Sequence, residues 1–208
     1  MNLNWKEEEF WNAISHGLGV LLGFFGMYLL FTGDNAKSEY STLSILFYTL
    51  SILLLYSAST IYHILTSTRW KSIFRKIDHI SIYFLIAGTY TPVALINLSE
   101  GNGWLIFSIV WSIAVLGTIL KIFYTGRFEV LSLLLYVCMG WLIVFDWNDL
   151  KSHSSALGIS LLIIGGAFYT LGILFYAIKK IPFKHFIWHL FVLGGSISHF
   201  LYIFLDVI

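Results

Sequence analysis

His185 and His189 stand four residues apart. On a helix that interval puts both rings on one face, and it is a spacing by which one helix offers two ligands to a metal. Ser59 and His63 repeat it upstream. A nitrogen from His63 completes a set of three, and three neutral imidazoles with an open fourth position describe a catalytic zinc site. Asp78 has no cation within its own apolar stretch. Beside the open position its carboxylate would accept a proton from a water activated by the metal. Ser59, one turn from His63, would hydrogen-bond that water or orient a ligand. The expected catalytic residues are therefore Asp78 and Ser59, the expected metal ligands His63, His185 and His189, and the expected cofactor Zn2+.

These residues are useful together only if the chain brings them to one place. The 208 residues are 58% apolar and only 11% charged, against roughly 25% charged in soluble domains. That composition excludes a water-soluble globule and a disordered chain. The formal net charge of +1 provides no basic field, so nucleic acid is not an expected partner. Cys138 is the single cysteine, which excludes an internal disulfide. A bilayer crossing takes about 20 apolar residues, and seven stretches qualify: Ala13–Thr32, Thr42–Leu65, Ile77–Leu98, Trp104–Tyr124, Val130–Phe145, Ala156–Ile178 and His185–Val207. The fifth is short and stops at Asp146. The runs are continuously apolar rather than alternating, so they read as helices and not as barrel strands. The expected fold is an all-α integral membrane protein, one seven-transmembrane bundle over residues 1–208. Glu7, Glu8 and Glu9 precede the first stretch in place of a basic region, so it is expected to be retained and not cleaved as a signal peptide.

Cationic residues favour cytoplasmic loops. With the N-terminus inside, ten of the twelve Lys and Arg residues fall on inner segments, and only Lys37 and Lys151 fall outside. The N-terminus is thus expected in the cytoplasm and the C-terminus outside. Under this orientation His63, Asp78, His185, His189 and His16 all lie near the cytoplasmic side, on four different spans. His199 lies ten residues beyond His189, ~15 Å along a helix, too far for the same ion; a hydrogen bond within the bundle is its expected role.

Each of these residues also has a plain structural reading. Histidine tolerates a helix end at the interface. Asp78 is suited to cap its helix, and Ser59 to bond the carbonyl one turn back. His16 reads as a fourth ligand, a supporting group or an interface residue, and His79 as packing. Gly19 and Gly23 read as close helix packing, Pro92 as a kink, Pro182 as a helix start, and Lys121 as a side chain reaching the inner surface.

At these residues the chain resembles the hemolysin III family, the bacterial branch of the progestin and adipoQ receptor superfamily. The segments that carry the resemblance are Glu8-Glu9 with Asn12 to Gly17, Tyr56 to His63, Asp78-His79 with Ala87 to Pro92, and His185 to His199. The resemblance implies seven helices, a cytoplasmic N-terminus and a zinc ion near the inner leaflet. It places the ligand pattern on His63, His185 and His189, the partner of the metal's water on Asp78, and the motif serine on Ser59. Related receptors are thought to hydrolyse ceramide-type amides, whereas the bacterial branch is commonly labelled cytolytic.

Three functions compete. The first is a zinc-dependent hydrolase of a lipid amide or ester, with a membrane lipid as substrate, in the bacterial plasma membrane. The second is a cytolysin or pore former, which physical reasoning disfavours because the chain has no polar face with which to be soluble first. The third is a non-catalytic receptor or sensor whose zinc holds the bundle closed. A homo-oligomer is left open.

Overall fold

A computed structural model describes residues 5–178 and 180–208. Among them, seven helical stretches are long and apolar enough to cross a membrane. The helices are α1 (Trp5–Gly33), α2 (Ser41–Ile64), α3 (Thr68–Pro92), α4 (Gly103–Tyr124), α5 (Glu129–Trp141), α6 (Trp147–Ser152), α7 (Ala156–Ala177) and α8 (Lys184–Tyr202). The described residues contain no strand. The spans form a closed ring in which α1 touches α2, α2 touches α3, and so on through α4, α5, α7 and α8 back to α1. Lipid replaces water around this ring, and helices satisfy their own backbone there. Large apolar side chains therefore remain exposed on the outside, among them Phe25 at 60%, Phe123 at 72% and Val130 at 72%. The interior is filled by Leu30, Ile45, Tyr48, Tyr83, Met139 and Tyr202, all fully buried.

Several expectations are corrected by the chain's local structure. The third helix begins at Thr68, nine residues before the apolar run. Arg69, Lys71, Arg75 and Lys76 continue the helix into the polar zone, where hydropathy alone reads loop. Asp78 consequently lies ten residues inside α3 and is not a cap. The fifth span runs from Glu129 to Ser152, longer than the apolar run, because a 3-10 stretch (Leu142–Asp146) joins α5 to α6. At Pro92 the α-helix gives way to a π-helical stretch, Val93–Asn97. Proline lacks the N–H that an α-turn needs, so the break expected there takes the form of a change in helical type. Pro182 lies before α8 and does not start it. Lys121 does not reach the surface. It is buried, and its Nζ donates to Glu129 Oε2 at 3.0 Å, which offsets the cost of removing its charge from water. Lys179, one of the inner basic residues, lies outside the described residues.

Close helix approach is real where the glycines predict it. A Cβ at Gly19 would strike the ring of Tyr56 on α2. The first helix therefore lies directly against α2 while also touching α8. That three-way seam holds the chemistry.

Candidate metal centre

The end of the seam that carries the N-terminus of α1 collects polar groups from three helices. His63 is the penultimate residue of α2. His185 and His189 lie in the first two turns of α8, because the chain reverses at Phe183 with φ 54° and the helix starts immediately after it. One donor atom from each of the three histidines lies within 4.8 Å of those of the other two. Ring centroids are 5.1 Å apart for His63 and His185, 5.0 Å for His63 and His189, and 4.7 Å for His185 and His189. The three expected ligands thus meet, close enough to hold a metal ion.

The donors also fit a cation chemically. His63 is buried, and its Nε2 has no hydrogen-bond partner among the described residues. A buried nitrogen left without a partner is costly, and a metal ion removes that cost. His63 Nδ1 lies 2.7 Å from Glu9 Oε2, within hydrogen-bond distance. His189 Nδ1 lies 3.3 Å from the carbonyl oxygen of Asn12 and 3.2 Å from Ser15 Oγ. The amide N–H of His185 belongs to the first turn of α8, where it has no intrahelical acceptor; Glu8 Oε1 accepts it at 3.2 Å. Lys71 Nζ donates to Glu9 Oε2 at 3.1 Å and to the α2 terminal carbonyls of Tyr62 and Leu65 at 3.3 and 3.4 Å.

The remaining expected residues are placed as follows. Ser59 is fully buried, one turn from His63, and its Oγ has no partner among the described residues. It does not use the carbonyl one turn back, in contrast to Thr60, which does. Asp78 comes from α3, its side chain only 13% exposed. It is not among the groups whose donor atoms converge; the ring nitrogen of its neighbour His79 lies 3.5 Å from its Oδ2. His16 does not join the converging group. Its ring lies flat on that of His189, centroids 3.5 Å apart and planes 9° apart, and neither of its nitrogens has a partner among the described residues. His199 bonds within the bundle, its Nε2 3.2 Å from the carbonyl oxygen of Leu162.

Glu9, Asn12 and Ser15 were not expected to touch the histidines. The signal for Glu9 and Asn12 is their spacing: with His16 they stand at i, i+3 and i+7 on one face of an otherwise apolar helix. The contact from Asn12 is made by its backbone, which has no signature in sequence.

A multi-pass helical bundle with a histidine triad at one end, two of its rings buried and one half-buried, defines the class of this protein. The family model described as Haemolysin-III related matches residues 4–200. The chain is 45% identical to the Hemolysin-3 homolog of Bacillus subtilis (strain 168) over 195 residues, 93% of this chain and 92% of the relative. It is 41% identical to Hemolysin-3 of Bacillus cereus, covering 93% and 89%, and 30% identical to the human Monocyte to macrophage differentiation factor, covering 91% and 80%. No solved structure matches it. The chain belongs to the hemolysin III family of membrane proteins.

Proposed function

We propose that this protein is a zinc-dependent hydrolase of a membrane lipid amide or ester, resident in the bacterial plasma membrane with its N-terminus in the cytoplasm. The observation that carries the reading is the convergence of His63, His185 and His189 within 4.8 Å, with His63 Nε2 buried and unpartnered. Three imidazoles suit zinc, and a three-histidine set leaves a fourth position for water, as in catalytic sites. Zinc bound there supplies Lewis acidity, which polarises a carbonyl and makes water acidic near neutral pH.

The chain's own residues do the rest. Three neutral histidines bind the ion. The Asp78 carboxylate accepts the proton of the attacking water at one oxygen and returns it to the leaving amine or alkoxide. The Ser59 hydroxyl, buried and uncommitted, hydrogen-bonds the water or the carbonyl oxygen. A lipid would reach the site from the bilayer, which the exposed apolar side chains of the bundle face.

The test uses purified full-length protein in detergent, offered a panel of acyl amides and esters. Wild type releases fatty acid, and both His189→Ala and Asp78→Ala lose the release by about 100-fold or more. Equal inertness of wild type and both variants across the panel overturns the reading. The printed name of the Bacillus cereus relative, Hemolysin-3, favours a second reading as a cytolysin. The exposed apolar belt opposes it, because such a chain has no soluble form in which to travel to a target membrane. Dye release from liposomes at low protein-to-lipid ratio, unchanged by chelator, decides for the cytolysin.

A further inference from the structure

We propose that the first turns of α1 preset the metal-binding form of the histidines, with Glu9 as the positioning residue of His63; this rests on the metal-binding reading above. A neutral imidazole carries one N–H and one lone pair, and only the lone pair binds a metal. Which nitrogen holds the proton is decided by what surrounds the other side of the ring.

For His189 the surroundings allow one answer. The carbonyl oxygen of Asn12, 3.3 Å from Nδ1, has no proton to give. Ser15 donates its hydroxyl proton to that same carbonyl at 2.9 Å, so its oxygen, 3.2 Å from Nδ1, is also an acceptor. Nδ1 therefore carries the proton, and Nε2 carries the lone pair. For His63 the acceptor is the Glu9 carboxylate at 2.7 Å. Lys71 Nζ, which can only donate, bonds the same carboxylate oxygen at 3.1 Å, so that oxygen acts as an acceptor. Nδ1 of His63 is protonated, which leaves the lone pair on the buried, partnerless Nε2. The ring of His185 has no hydrogen-bond partner among the described residues; only its backbone is held, by Glu8. Two ligands thus have their tautomer set by α1, while the His185 ring is held by packing against His63, His189 and Tyr176.

The experiment is done on the full chain in detergent with 15N-labelled histidine. In the metal-free wild type the His63 ring shows its proton on Nδ1. Zinc affinity, measured by chelator competition, falls about 10–100-fold in Glu9→Ala. It recovers in part in Glu9→Gln, whose amide oxygen still accepts the N–H. A purely structural role moves neither the tautomer nor the rescue. A wild-type His63 ring protonated on Nε2 overturns the inference, as does zinc affinity in Glu9→Ala equal to wild type. Should Glu9→Ala fail to fold, the wild-type tautomer and the Gln variant still decide. A wild type that binds no zinc overturns the metal reading instead, and the metal-free spectrum continues to judge this inference.

Discussion

His189 and His199 occupy the two ends of one helix, ten residues apart, and both are held in the bundle by a backbone carbonyl. His189 bonds the carbonyl of Asn12 through Nδ1, and His199 bonds that of Leu162 through Nε2. What separates them is the company each keeps. At the near end α8 meets α1 and α2, which bring Glu9, Ser15 and His63, and a second histidine lies one turn back on α8 itself. At the far end α8 meets α7, which brings Gly165 and the ring of Tyr169, 5.4 Å away. Burial and one hydrogen bond make a helix brace. A metal centre needs the remaining nitrogen to face others of its kind.

Deleting each ring in turn separates the two ends. His189→Ala removes one of three ligands, and the expected loss of zinc affinity is more than about 100-fold, beyond what loss of a supporting contact costs. His199→Ala leaves zinc content at the wild-type level. Metal analysis of the two purified variants side by side checks both. Equal loss in the two, or retention in both, contradicts the distinction drawn between the two ends.

Acid provides a milder separation. Imidazole binds a metal only when neutral, with an ordinary pKa of about 6.5, so protons compete with the ion for each ligand. Zinc is therefore held at neutral pH and released in acid, at a pH that lies further below the free imidazole range the tighter the ion is bound. Three competing sites make release steeper than a single-proton titration. Zinc content that does not change with pH at any acidity would count against histidine ligation. Folding of the far end, read from His199 and Tyr169 signals, should survive the release.

The near end was legible in sequence because three kinds of information agreed: helical spacing paired His185 with His189, loop charges put His63 and Asp78 at the same end, and long apolar runs guaranteed helices to carry them. The partners of the histidines were legible only in part. Glu9 stands in a run of three glutamates that masks its helical spacing with Asn12 and His16, and Asn12 contributes a carbonyl that any residue possesses. Asp78 shows how a boundary error changes chemistry. Starting its helix at the first apolar residue makes it a cap, whereas the basic turns before it place it mid-helix, available for other work. Lys121 was misread for a related reason. Its partner Glu129 lies beyond a reversal that runs through Phe128 at φ 54°, a conformation a bulky residue rarely adopts and that no pattern announces.

The smallest expected effect tests whether the far end is a packing joint and nothing more. A Cβ added at Gly165 would run into the His199 ring, and the ring cannot retreat freely because Tyr169 flanks it and the Leu162 carbonyl holds Nε2. Overpacking at Gly165→Ala should cost about 1–3 kcal/mol, less the roughly 0.8–1 kcal/mol that alanine returns through helix propensity. Thermal unfolding in detergent measures it. In the double variant Gly165→Ala/His199→Ala the clash is gone, so the two changes should cost less together than the sum of each alone. Zinc affinity should equal wild type in all three. If Gly165→Ala weakens zinc binding as much as it lowers stability, α8 transmits strain along its length and its two ends are not independent.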